Sequence, residues 1–207
     1  MNLNMPKNQH SLGSVLERQH RLEKLHQAHI QPLSQYLADI RAQHPEKNIP
    51  HFDPNDGGVN AKALFLMLAV GPKTMGSPFL SVDNTDGTAT NFRELLSNAK
   101  ISRNEVLFWN IIPWYASRDS EGKREIKERE IVQGFEYFES LLTLLPRLKV
   151  IVLLGKQTHF YKGKIQQLKN LPIIETSHPT PTVFNCHLKV KEQTQMQFLE
   201  VARYINR

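Results

Sequence analysis

Four short apolar runs constrain this chain more than any other feature of it: residues 63–69, 106–112, 150–154 and 173–176. Each has the length of a strand, and ALFLMLA and VIVLL are apolar at every position rather than at alternate ones. A strand that is hydrophobic throughout is buried on both faces, the condition of a strand inside a parallel sheet. Helical patterns separate the runs, over residues 90–97, 125–144 and roughly 157–168, and a last amphipathic pattern covers 190–204. Strands alternating with helices predict right-handed crossovers and a parallel sheet. The expected fold class is therefore α/β: three layers, α/β/α, around a central four-stranded parallel sheet.

Two segments lie outside this alternation. Residues 12–43 carry an apolar stripe of Leu22, Leu25, Ile30, Leu33, Leu37 and Ile40, the pattern of helix packed on one side. Pro32 must start a second helix there or kink the first, because it lacks an N–H and clashes one turn back. Residues 44–60 hold Pro45, Pro54 and Gly57-Gly58 and read as a loop leading into the main domain. The expected division is an N-terminal helical extension over 1–48 and one α/β domain over 49–207. No apolar run reaches the ~18–20 residues of a membrane helix, and residues 1–20 have no signal-peptide apolar core. A soluble, cytoplasmic monomer is expected. Cys186 is the only cysteine, which excludes a disulfide within the chain and a thiolate cluster.

Charge bears on the partner. From Leu145 to Arg207 there are 10 Lys and Arg against 3 Asp and Glu, whereas the first 144 residues hold 16 against 17. The basic excess thus sits in the last third, where it forms either a solvated face or a surface for a polyanion such as nucleic acid. His20, His26 and His29 lie at helical spacing without a matching Cys or carboxylate frame. They read as surface residues, and neither a metal nor a cofactor is expected.

The chemically suggestive residues each follow a strand. Gly71-Pro72 follows the first, Asn110 ends the second with Pro113-Trp114-Tyr115 behind it, Gly155-Lys156 follows the third and Ser177-His178-Pro179 the fourth. In an open parallel sheet the ligand site lies at the carboxyl ends of the strands, so these groups should meet in one cleft. Read in order, AVGPK, GSPFLSVDN, FWNIIPWY, VIVLLGK and SHPTPT resemble the successive motifs of uracil-DNA glycosylases. The stretch FDPNDGGVNAKALFLMLAVGPK, continued by NTDGTATNFRELL and FWNIIPWY, is similar to a bacterial branch of that superfamily without iron–sulfur cysteines. The likeness covers about residues 50–185. It implies a four-stranded parallel sheet between helices, and hydrolysis of the bond between a flipped base and deoxyribose in double- or single-stranded DNA.

The resemblance assigns roles. Extruding a base costs a few kcal/mol, and cleavage builds negative charge on the base and positive charge on the sugar. His178, in His-Pro-Thr-Pro-Thr, matches the loop whose histidine donates to the base oxygen. Asn110 matches the reader of the pyrimidine edge, its carboxamide offering a donor and an acceptor side by side. Phe79 matches the stacking ring, with Gly71 and Tyr115 as further pocket walls. Val183 and Phe184 are candidate wedges for the hole the base leaves. Lys156 and Lys189, with Lys162, Lys164 and Lys191, are candidate phosphate contacts. Each has a plain structural alternative: a loop histidine, a turn-stabilising Asn, core phenylalanines, solvated lysines.

One motif departs from the pattern. Leu68 stands where similar proteins carry Glu, Val70 where proline is usual, and the chain between Pro72 and Pro78 is short. Leucine can neither orient water nor offset a sugar cation. Three explanations stay open: a carboxylate or amide from Asp83, Asn84 or Asp86 takes over; the site hydrolyses weakly without it; or the protein binds a lesion or modified base without cutting. Asp/Asn/Gly clusters also make turns. Excision of uracil or a modified pyrimidine, in DNA repair or in defence against phage DNA with modified bases, is the leading expectation. A nucleotide-binding α/β protein is disfavoured because no glycine-rich phosphate loop follows any strand.

Overall fold

The computed structural model describes residues 11–70, 76–115, 125–184 and 186–207. The N-terminal apolar stripe folds as two helices, α1 (Val15–Glu23) and α2 (Gln31–Gln43). Pro32 lies in the first turn of α2, where its missing N–H is no loss, so it starts the second helix. After α2 come β1 (His51–Phe52), β2 (Ala63–Val70), β3 (Phe79–Leu80), α3 (Gly87–Asn98), β4 (Val106–Tyr115) and α4 (Glu128–Thr143). The chain continues through β5 (Val150–Leu154), α5 (Lys156–His159), α6 (Lys162–Leu168), β6 (Ile173–Thr176), α7 (Pro181–Phe184) and α8 (Leu188–Ile205).

The four apolar runs become β2, β4, β5 and β6 and form one sheet in the order β4-β2-β5-β6, with every pairing parallel. β2 is buried at every residue and is hydrogen-bonded on both sides. Strand alternation sends Leu64, Leu66 and Leu68 to one face and Ala63, Phe65 and Met67 to the other. On the first face lie Leu33, Leu37 and Ile40 of α2, Phe135 and Phe138 of α4, and Ile165 of α6. On the second lie Phe92 and Leu95 of α3 with Phe198 and Val201 of α8. The result is three layers, α/β/α, with the N-terminal helix α2 sharing the core of the first face. Each such apolar side chain contributes about 1.5–3 kcal/mol when fully buried.

Four features depart from the sequence expectation. Residues 44–60 are not all loop: β1 within them pairs in parallel with β3, and His29, expected at the surface, is half-buried with Nε2 2.9 Å from the Pro54 carbonyl. β4 runs past Ile112 to Tyr115 through Pro113. It tolerates proline because it is an edge strand, and its register to β2 slips between Ile112 opposite Ala69 and Tyr115 opposite Val70, a bulge that leaves Pro113 and Trp114 unpaired. The helix expected over 157–168 is broken at Phe160 and Tyr161 into α5 and α6.

One glycine fixes the distance between layers. A Cβ on Gly134 of α4 would stand 2.2 Å from the Ile111 carbonyl oxygen of β4. Only glycine lets α4 lie this close to the strand that carries Asn110.

Candidate active site

At the carboxyl end of the sheet a cavity of about 490 Å³ opens, the size class of ligand sites. Its floor is Met67, Ala69 and Val70 of β2 with Phe108 and Asn110 of β4. Ala89 and Phe92 of α3 form one side, and His178 and Thr180 of the loop after β6 form another. The stretch from β3 to α3 supplies Leu80, Ser81, Val82, Asn84 and Asp86.

Asn110 is 2% exposed and sits cross-strand from Met67. Its Oδ1 is buried and has no hydrogen-bond partner among the described residues. Leaving such an acceptor unsatisfied costs about 1–3 kcal/mol, and at a cavity wall a ligand donor can meet it.

His178 is held from three directions. Asn91 Nδ2 of α3 donates to the Pro179 carbonyl at 2.8 Å, and Thr180 N donates to the carbonyl of His178 itself at 2.8 Å. Behind it runs Gly155, whose φ of +86° favours glycine and whose ideal Cβ would lie 3.3 Å from the His178 Cβ. The Phe92 ring meets the imidazole edge-on with centroids 6.4 Å apart.

The three acid or amide candidates separate. Asn84 and Asp86 line the cavity. Asn84 Nδ2 donates to the Phe79 carbonyl at 3.1 Å. Asp86 caps α3, its Oδ1 accepting from Thr88 N at 2.9 Å and Ala89 N at 3.1 Å, and a carboxylate has a second oxygen with lone pairs to spare. Asp83 does not line the cavity and lies instead in a buried ion cluster. Leu68, at the position where the resemblance implies an acid, is on the opposite face of β2, in the core with α4.

Other expected residues are placed differently from their motif roles. Phe79 is 0% exposed, tilted against His51 at 5.8 Å and outside the cavity lining. Phe92 and Phe108 are the aromatic walls. Phe184 is 3% exposed and packs in the core between α3 and α8, whereas Val183 beside it is half-buried and Thr182 is exposed. Tyr115 lines a separate cavity with Asn48, Pro50 and Ser77. Lys156 and Lys189 are exposed, and Gly71 lies outside the described residues. Phe108 was findable in the sequence as the residue two before Asn110 on one strand face; Met67 needs the sheet register and Phe92 the packing of α3 on the sheet.

Beside the cavity wall is a feature the sequence did not announce. Arg21 of α1, 0% exposed, pairs with Asp53, and its Nη2 lies 2.7 Å from Asp83 Oδ2. Arg103 pairs with Asp83 and reaches Asp53 Oδ2 at 2.9 Å and Asp56 Oδ1 at 2.7 Å. Burial alone would raise the Asp53 carboxyl, but Arg103 and Arg21 outweigh it and hold it below the usual carboxylate range. Burial pushes Asp56 up to about 8, and the pull of Arg103 does not undo this because Asp53 and Asp83 already answer the two arginines. Burial thus favours the neutral form of this third carboxyl, against the pull of Arg103. Among the described residues no His, Cys, Asp and Glu cluster could hold a metal ion, and no helix is long and apolar enough to cross a membrane.

The family model for the uracil DNA glycosylase superfamily matches residues 54–201. No curated protein matches the chain. Among solved structures, the chain is similar to the solution NMR structure of a candidate uracil DNA glycosylase from Methanosarcina acetivorans, at 14% identity and a TM-score of 0.49, over 69% of this chain and 91% of that one. The family match takes in the whole sheet, the cavity floor and the His178 loop, and on its extent the chain belongs to the uracil-DNA glycosylase superfamily.

Proposed function

We propose that the protein takes a flipped uracil or modified pyrimidine from DNA into this cavity and hydrolyses its N-glycosidic bond, in DNA repair or in defence against phage DNA with modified bases. The observation that carries the reading is the buried, unsatisfied Oδ1 of Asn110 on the same cavity wall system as His178. In this reading Asn110 Oδ1 accepts from the base edge, and Phe92 and Phe108 flank the ring. The C1′–N bond breaks with its electron pair passing to the base, whose oxygen is met by a proton donor on His178. Water bonds to C1′ and its proton goes to the base. Asp86 and Asn84 are the groups that face the sugar and the water, the work Leu68 cannot do. Val183 fills the vacated stack, and Lys156 and Lys189 hold phosphates.

The test is incubation with duplex and single-stranded DNA carrying uracil, hypoxanthine or modified cytosines, followed by detection of abasic sites. Cleavage is expected for at least one base, falling about 100–1,000-fold in Asn110→Ala or His178→Ala, the usual effect of losing one transition-state partner. Absence of product on every substrate sinks the catalytic reading. A second reading, a non-catalytic module that recognises a lesion or modified base, is favoured by one observation: Leu68 stands at the acid's position and faces the core. It predicts salt-dependent, base-selective binding without abasic product.

A further inference from the structure

The buried ion cluster has no part in the chemistry above, yet it is built against the cavity. Of the segment Leu80–Asp86, Leu80, Ser81, Val82, Asn84 and Asp86 line the cavity, while Asp83 turns away into the cluster, 6% exposed. Ser81 belongs to both: it lines the cavity, its hydroxyl donates to Asp53, and it accepts from Asp83 N at 3.0 Å. The counter-charge comes partly from Arg103, within the family-matched residues, and partly from outside them, from Arg21 of α1. Arg21 inserts between Asp53 and Asp83, and its own other contacts are Glu17 Oε1 at 2.9 Å and Ser11 Oγ at 2.7 Å. The same N-terminal stretch also meets the segment directly, through Leu12 N to the Asp83 carbonyl at 3.3 Å.

A buried ion cluster is weak as a stabilising device, since apolar replacements of the same shape often do as well. What it provides is geometry, because each arginine fork donates to its carboxylates in a fixed plane. The geometry points to Arg21 as a positioning residue: through Asp53 and Asp83 it holds the Ser81–Asp86 wall in place, so that α1, outside the glycosylase-like region, sets the position of Asn84 and Asp86 in the site. The catalytic part of this inference rests on the proposed function, whereas the positioning part does not.

Two variants separate positioning from folding. Arg21→Gln leaves Asp83 short of a partner; Arg21→Met combined with Asp83→Asn removes one charge of each sign and keeps the cluster balanced, so that folding survives. The first readout is amide hydrogen exchange in the full chain. In both variants the backbone amides at positions 83 and 84 are expected to exchange at least about tenfold faster, with those of β2 and β5 within about threefold of the parent. The second readout is single-turnover cleavage of the parent's best substrate at saturating DNA. The rate is expected to fall at least about tenfold in both variants while Kd changes less than about threefold, and Arg21→Lys, which keeps the charge but lacks the fork, is expected to recover little of the loss. Unchanged exchange at Asp83 and Asn84, or a rise of equal size across the whole sheet, overturns the inference. If the parent neither binds nor cleaves any DNA, the functional reading has failed, and the exchange data still decide whether Arg21 holds the wall.

Discussion

At the scale of single residues, the site depends on two small facts of backbone geometry as much as on its polar groups. Gly155 occupies φ +86° and ψ 152°, a region open essentially to glycine and costing other residues about 1–3 kcal/mol. Its ideal Cβ would also press on the His178 Cβ at 3.3 Å. Gly155→Ala should therefore lower stability by about 1–3 kcal/mol and, by moving His178, slow excision more than the stability loss explains. Urea denaturation beside single-turnover cleavage measures both; a variant destabilised but with full activity would show that His178 does not need this placement. That Asn110 and His178 would meet at one cavity was legible in the sequence, because each ends or follows a strand within a recognisable motif. Phe79 was not, because its burial depends on the two-residue pairing of β1 with β3, too short to leave a pattern. Arg21 was invisible for another reason: its partners Asp53 and Asp83 lie 32 and 62 residues away, and nothing local marks an arginine as buried.

At the scale of elements, the four sheet strands could be read to within a few residues, because burial on both faces leaves uninterrupted apolar runs. What could not be read was how the ends are finished. Asp86 looked like part of a turn and is the N-cap of α3. Pro113 looked like the end of a strand and is carried inside β4, which has a free edge there. The packing of α4 on β4 is the element-level contact with the sharpest consequence. A Cβ on Gly134 meets a carbonyl oxygen, which cannot rotate away. Gly134→Ala must lift α4 from the strand, at a cost of about 1–3 kcal/mol or more. The urea midpoint is expected to fall accordingly, and because Ile111 adjoins Asn110, base-selective binding should weaken with it. An unchanged midpoint would mean that the two layers slide freely.

At the scale of the whole molecule, two buried groups give stability opposite dependences on pH. Burial, and Arg41 beside it, push His51 down to about 4. Its folded value is below its unfolded one, so its contribution is present above about pH 6.5 and is lost as pH falls toward about 4. Asp56 is the reverse: raised to about 8 from 3.8, it contributes fully below about pH 4, and the contribution is lost as pH rises through about 8. Between about pH 6.5 and 8.5 the Asp56 slope stands alone of the two, and the unfolding free energy should decline. In Asp56→Asn, which keeps an acceptor for Arg103, that decline should disappear. Denaturation midpoints at about pH 6.5 and about pH 8.5 check it; an equal decline in parent and variant would place the titrating group elsewhere.

The central strand carries a further consequence, for how the protein is made. β2 is eight buried residues without a charge, and its partners are β4, beginning at Val106, and β5, beginning at Val150. During synthesis from the N-terminus, ALFLMLAV leaves the ribosome with one edge unclaimed until β4 emerges and the other until β5 does. An uncharged, proline-free run of this kind is a template for pairing between chains. Nascent chains that stop short of residue 150 should therefore collect as aggregates or on chaperones, and yield in the cell will follow translation speed across this interval as closely as it follows the stability of the finished fold.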